Sequence, residues 1–205
     1  MSSRSVGRVV PTKGFLIRLR ERVSFLERGV EALKMKRDQL VKEAQALIKE
    51  LRIREDAEKK MVEAYEVLRL AYATAGPREA TKAALLAKPM RTKMRVRSVI
   101  GVEVPEIEIK ELEIVTTPSL NAAVIAAAEK LAEALNEIIK AANVEARFER
   151  IAESLAETMR KVNALEKLVI PEHKEIIKYI EEVLEEEGLE EFLRVKKYKA
   201  VKGRE

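Results

Sequence analysis

Residues 16–40 read LIRLRERVSFLERGVEALKMKRDQL, and the spacing of their apolar side chains decides the fold. Leu16, Leu19, Val23, Leu26, Val30, Leu33 and Leu40 recur in steps of three and four with only Arg37 out of pattern, a seven-residue repeat with two apolar places per heptad. Continued in the same register, the series runs Ala44, Leu47, Leu51, Arg54, Glu58, Met61, Tyr65, Leu68, Tyr72 and Ala75, so that 15 of the 18 positions from Leu16 onward are apolar. So narrow a stripe is the seam of a coiled coil; a helix lying on a sheet needs a wider one. Residues 12–75 contain no Pro, and at 1.5 Å per residue they would make a helix of roughly 95 Å. Arg37, Arg54 and Glu58 are expected to set register or snorkel out of the seam. Gly14 and Gly29 each cost ~1 kcal/mol against Ala in a helix, and close approach of another backbone is the expected benefit.

Beyond this helix the punctuation changes. Gly76-Pro77 reads as a helix stop and Thr117-Pro118 as a helix start, with Thr capping and Pro in the first turn. Residues 119–199 carry the seam again, clearest at Phe148, Ile151, Leu155, Met159, Val162, Leu165 and Val169, and resuming at Ile176, Ile180 and Val183. Pro171 falls between these runs and is expected to kink the helix without ending it. The chain thus divides into a helical segment over residues 1–75, a connector over 76–118 and a second helical segment over 119–205.

Within the connector, residues 78–88 suit a short helix. Lys93-Met94-Arg95-Val96-Arg97 then alternates charged and apolar side chains at a period of two, Gly101 suits a turn, and residues 102–109 alternate again, which predicts a β-hairpin with Pro105 at an edge. A lone hairpin is marginal in water and must lean on a helix or a partner. Two helices of similar length, each with one apolar stripe, bury both stripes by pairing. The reading is therefore an all-α protein: a long antiparallel two-helix coiled coil with a small middle segment that holds a short helix and a β-hairpin.

Composition agrees. Aromatic residues are 4% of 205 and charged residues 37%, too few of the first and too many of the second for a thick layered core. There is no Cys and one His, His173, which excludes disulfides and thiolate or imidazole metal clusters. No run of ~20 apolar residues would span a membrane, and Arg4 and Arg8 have no apolar run behind them that would make a secretory signal. No phosphate-binding Gly loop or nucleophile elbow occurs, so no catalytic, cofactor-binding or metal-binding residue is expected. The net charge of +5 conceals an asymmetry: residues 1–22 carry +5 and residues 194–205 another +5, so the rest sums to −5. Antiparallel pairing would gather both basic ends at one tip, beside an acidic stretch that holds Glu181, Glu182, Glu185, Glu186, Glu187, Glu190 and Glu191. With Tyr198 the one aromatic in the basic cluster and no groove-entering motif, a protein socket is a better partner for that tip than nucleic acid.

Certain stretches also carry a resemblance. Val10-Pro11-Thr12-Lys13, Glu27-Arg28-Gly29, Leu33-Lys34-Met35-Lys36-Arg37-Asp38-Gln39-Leu40, Gly101-Val102-Glu103-Val104-Pro105-Glu106-Ile107, Lys161-Val162-Asn163-Ala164-Leu165-Glu166, Val169-Ile170-Pro171 and Phe192-Leu193-Arg194-Val195-Lys196-Lys197 resemble, in order, the D subunits of the archaeal-type and vacuolar-type (A/V-type) rotary ATPases. The resemblance implies a non-catalytic central shaft on the cytoplasmic face of a membrane. It would be threaded into a ring of catalytic A and regulatory B subunits and joined to the F subunit of the stalk and, through the C subunit, to the membrane rotor, with no nucleic acid and no direct membrane contact. On that basis the ring-facing tip would use Arg4, Arg8, Lys13, Arg18, Arg194, Lys196, Lys197 and Lys199. The hairpin contact would use Val96, Gly101, Val104, Pro105 and Ile107, and shaft packing Leu26, Gly29, Leu33, Val162, Asn163, Leu165 and Val169. The alternatives are a coiled-coil scaffold with no motor role or, behind it, a basic coiled coil that binds nucleic acid.

Overall fold

The structure, a computed structural model, describes residues 10–114, 117 and 119–202, the side chains of 200 and 201 excepted. Its elements in chain order are α1 (Lys13–Glu50), α2 (Ile53–Leu86), β1 (Arg91–Val99), β2 (Val102–Glu111), α3 (Ala122–Ala164), a π-helical turn (Leu165–Val169) and α4 (Ile170–Lys202). Packing divides them into two units, residues 1–37 with 157–205 and residues 38–156.

In the first unit the start of α1 pairs with the end of α3 and with α4. Val23, Val30, Val162 and Ile170 form the buried cluster, and Leu26, Leu33, Leu165 and Ile177 pack against it. Ion pairs flank this seam: Arg20 with Glu181 at 2.6 Å, Glu27 with Lys174 at 2.7 Å, and Lys34 with Glu166. The first member climbs as the second falls, so the helices are antiparallel, and each pair of residue numbers totals 200 or 201. Extrapolating from the helix ends at residues 75 and 119, the sequence predicts a total of about 194. The expected helix start at Thr117-Pro118 is not used. Asn121 caps the helix instead, its Oδ1 accepting the Ala123 amide at 2.9 Å. Pro118 lies outside the described residues.

At Pro171 the helix continues, as expected. Its adjustment sits one turn upstream, where the Ile170 amide reaches back five residues to the Leu165 carbonyl. Pro171 has no amide to offer the Lys167 carbonyl, and the wider turn ahead of it relieves the crowding that the proline ring would impose.

In the second unit, Leu40, Leu47, Val144 and Ile151 join Val102 and Val104 of β2 in one core. Past it, the helix expected to run unbroken through residue 75 is interrupted by a turn at Leu51-Arg52, closed by amide bonds from Arg54 to the Leu51 carbonyl and from Glu55 to the Arg52 carbonyl. The seam slips by one residue there. Ile53, Ala57, Ala64 and Ala71 take the inner places that the unbroken heptad gives to Arg54, Glu58, Tyr65 and Tyr72, and both tyrosines are exposed. Arg54 and Glu58 are therefore not polar seam residues. They bond to each other at 3.0 Å on the surface, and Arg54 also reaches Glu145 at 3.2 Å. A similar slip on α3 buries Thr158 and leaves Met159 exposed.

The slipped seam is an alanine seam. Arg54–Glu145 and Lys60–Glu137 give totals of 199 and 197. A total of 198 sets Ala57 level with Ala141, Ala64 with Ala134 and Ala71 with Ala127, and all six are buried. Ala71 and Ala127 share a cluster with Val124. α2 ends in a further break, where Gly76 takes φ 79° and ψ 166° and Pro77 opens a last helical run to Leu86.

Candidate functional site

The hairpin is where the structure adds most to the sequence. β1 and β2 pair antiparallel across a two-residue turn, Ile100-Gly101, whose φ values of 52° and 72° are both left-handed, as a type I′ turn requires. Ile100 is β-branched and strained there, and it packs against the core that β2 enters.

A two-residue turn makes Val99↔Val102 a hydrogen-bonded pair, and bonding then alternates along the register. Arg97↔Val104, Arg95↔Glu106 and Lys93↔Glu108 bond within the ladder. Ser98↔Glu103, Val96↔Pro105, Met94↔Ile107 and Thr92↔Ile109 turn their backbone groups outward. Pro105 thus occupies a place where no ladder donor is needed.

On the β2 side α3 meets three of these outward groups. The Asn143 side chain accepts the Ile107 amide and donates to the Ile107 carbonyl, both at 2.8 Å, and Arg150 donates to the Glu103 carbonyl at 3.4 Å. Asn143 and Arg150 escaped the sequence reading, since their role depends on an α3 contact tens of residues away and no local pattern marks it.

Of the hairpin residues singled out by sequence, Val104 is buried against the helices together with Val102 and is not a surface contact. Val96 is 67% exposed and Met94 66%, while Pro105, Ile107 and Ile109 are half-buried, so the face turned from the helices is apolar. Gly101 is exposed in the turn. On the opposite face Arg95 pairs with Glu108 at 3.0 Å and Arg91 with Glu111 at 3.6 Å, whereas Lys93 and Arg97 have no carboxylate partner among the described residues.

At the basic end, Arg4 and Arg8 lie outside the described residues. Lys13, Arg18, Arg194, Lys196, Lys197 and Lys199 are all exposed. With a pairing total of 201, Lys13 is level with Gly188 and Arg18 with Val183. Helix pairing therefore does not bring Lys13 and Arg18 beside the 194–199 cluster, which lies past the start of α1 where every residue of 185–199 is exposed. Of the acidic stretch, Glu181 faces Arg20, while Glu182 and Glu190 pair along their own helix with Lys178 and Arg194.

The expected shaft-packing set divides. Leu26, Leu33, Val162 and Leu165 are in the first unit's core, and Val169 is half-buried. Asn163 is exposed. A Cβ built on Gly14 or Gly29 would meet nothing within 4 Å, so neither glycine admits the paired helix. His173 donates from Nδ1 to the Val169 carbonyl at 2.8 Å. In the second unit a groove of about 440 Å³ lies between the ends of α2 and α3, lined by Leu68, Tyr72, Ala83, Leu120, Val124 and Leu131. Among the described residues no helix is long and apolar enough to cross a membrane, and no group of three or more His, Cys, Asp or Glu side chains could hold a metal ion.

The family of ATP synthase D subunits matches residues 15–200. The A-type ATP synthase D subunit of Pyrococcus furiosus is 38% identical over 202 residues, which cover 95% of this chain and 94% of that protein. The A-type ATP synthase D subunit of Thermococcus kodakarensis is 35% identical over 201 residues, covering 94% of each. The V-type ATP synthase D subunit of Thermus thermophilus is 35% identical over 201 residues, covering 95% of this chain and 89% of that protein.

Proposed function

This chain belongs to the family of ATP synthase D subunits, and from that premise we propose that it is a central-stalk component of an A/V-type ATP synthase, passing torque between the ATP-handling ring and a membrane rotor. The observation that carries the proposal is the family match over residues 15–200, joined to helices paired through a zipped seam in each unit. A torque-bearing element must resist twisting, and two helices locked by buried side chains and flanking ion pairs resist it better than either alone. The scaffold and nucleic-acid alternatives are not favoured by that match.

The finer assignments follow. The chain makes and breaks no bond itself. Its basic end, with Lys13, Arg18 and the Arg194, Lys196, Lys197 and Lys199 cluster, enters the ring of A and B subunits. The hairpin, with Val96, Pro105 and Ile107 on its outer face, is a contact for the F subunit of the stalk, and the C subunit adapts the chain to the rotor. The complex is held at the cytoplasmic face of the membrane, which this chain does not touch.

Reconstitution tests this reading. The catalytic ring with the F subunit should bind the chain stoichiometrically and change its ATP hydrolysis rate on binding, while the chain alone should show no nucleotide binding in calorimetry. A chain that binds no ring, or that hydrolyses ATP by itself, contradicts the proposal.

A further inference from the structure

The two edges of the hairpin are finished differently. On β2 the edge is partly covered by α3: Asn143 takes both groups of Ile107, Arg150 takes the Glu103 carbonyl, and Pro105 has no donor to offer. On β1 the outward amides and carbonyls of Thr92, Met94, Val96 and Ser98 face no further strand among the described residues, and residues 91–98 are all exposed. An edge of this length is a template for one more strand.

The side chains specify which strand. A third strand beside β1 would extend both faces of the sheet. Its residues on one face would continue Met94, Val96, Pro105, Ile107 and Ile109, and so would be apolar. On the other face they would meet Lys93 and Arg97, the two β1 cations that lack a carboxylate, whereas Arg91 and Arg95 already have theirs. A second copy of this chain offering its own β1 would set cations against cations across the new ladder, and like charges directly opposite are destabilising. We propose that β1 is a docking edge for an extended segment of a partner protein in which carboxylate and β-branched side chains alternate, added to the hairpin as a third strand.

The inference rests on reading the hairpin as a partner contact and not on the torque role. Its test is residue-resolved amide exchange on the full chain, with an acetylated, amidated Glu-Val repeat peptide as the probe and the matching Lys-Val repeat as the control. Exchange at Thr92, Met94, Val96 and Ser98 should slow by about tenfold or more with the acidic probe and remain unchanged with the basic one. Val96→Pro, which copies on β1 the unbonded place of Pro105 opposite it, should abolish the protection while the ladder amides of Arg95 and Arg97 stay slow. Should that variant lose the hairpin, the Lys93→Glu/Arg97→Glu double variant should reverse the preference, towards the basic probe. No protection at the four amides, equal protection by both probes, or a preference that survives charge reversal overturns the inference. A chain that drives the ring yet ignores the acidic probe refutes this inference alone. One that takes the probe yet binds no ring refutes only the stalk assignment.

Discussion

Two helical seams in this protein solve one problem with different side chains. In the first unit, branched aliphatics such as Val23, Val30, Val162 and Ile170 interdigitate, with Ile180 fully buried nearby. In the second, beyond the turn at Leu51-Arg52, the buried positions are Ala57, Ala64 and Ala71 level with Ala141, Ala134 and Ala127. Aliphatic knobs remove much apolar area from water and stabilise accordingly, whereas alanines remove little but let two backbones run close. The aliphatic seam should therefore be sensitive to truncation, and the alanine seam to enlargement.

The largest effect expected of this contrast is at Ile180. Ile180→Ala should cost ~2–5 kcal/mol in urea unfolding, since a fully buried branched side chain leaves a cavity. A loss below ~1 kcal/mol would mean that this seam collapses around the gap and is not packed as described. Next comes Ala64→Leu at a fully buried alanine, which should cost ~1–3 kcal/mol by forcing the helices apart. A neutral or stabilising result would remove the distinction between the seams.

Gly29→Ala is smaller and opposite in sign. With nothing within 4 Å of the new methyl group, it should raise stability by ~1 kcal/mol through helix propensity alone. If the variant is more stable but binds the ring less well, the glycine serves a partner; if it destabilises the chain, the seam is tighter there than the structure gives.

Smallest is a pH effect beside the alanine seam. Glu137 accepts hydrogen bonds from Lys60 at 3.1 Å and Lys140 at 3.2 Å, and these hold its carboxyl below its ordinary value. A depressed folded-state pKa contributes stability that is present above the unfolded carboxylate value and is lost as pH falls through the folded one. Glu137→Gln should thus lower the melting temperature slightly at neutral pH and make no difference once the carboxylates are protonated. An equal loss at both pH values would assign its role to packing.

Much of this was legible in the chain. A heptad is a local pattern, so the paired helices and their apolar positions from Leu16 to Leu51 could be read directly, and the period-two stretches either side of Gly101 gave the hairpin. What escaped depended on distance. The slip at Leu51-Arg52 left the alternation of apolar and polar residues almost unchanged, so Arg54 and Glu58 looked like flaws in a seam that had moved to Ile53 and Ala57. Alanine, common on any helix face, does not announce burial. The left-handed Ile100 stands where Asn or Gly is the usual choice, and only its contact with the core explains it. Asn143 reads as an ordinary helical residue until β2 is laid against α3. Of the candidate contacts, the outer hairpin residues were found from alternation, but alternation alone could not tell that Val104 points inward while Val96 points out.

The claim on which the rest depends is that a single chain supplies both helices of each pair, in a register that totals 198 across the alanine seam. The chain has no cysteine, so an Ala64→Cys/Ala134→Cys double variant tests this without background. Disulfide formation needs Cα atoms within about 7 Å. Mild oxidation should join the two positions within one chain, rapidly and in high yield, and pairing Ala64→Cys with Lys130→Cys, at the total of 194 that the helix ends alone suggest, should not. Crosslinks only between chains, or efficient closure at 130 and not at 134, would contradict the account.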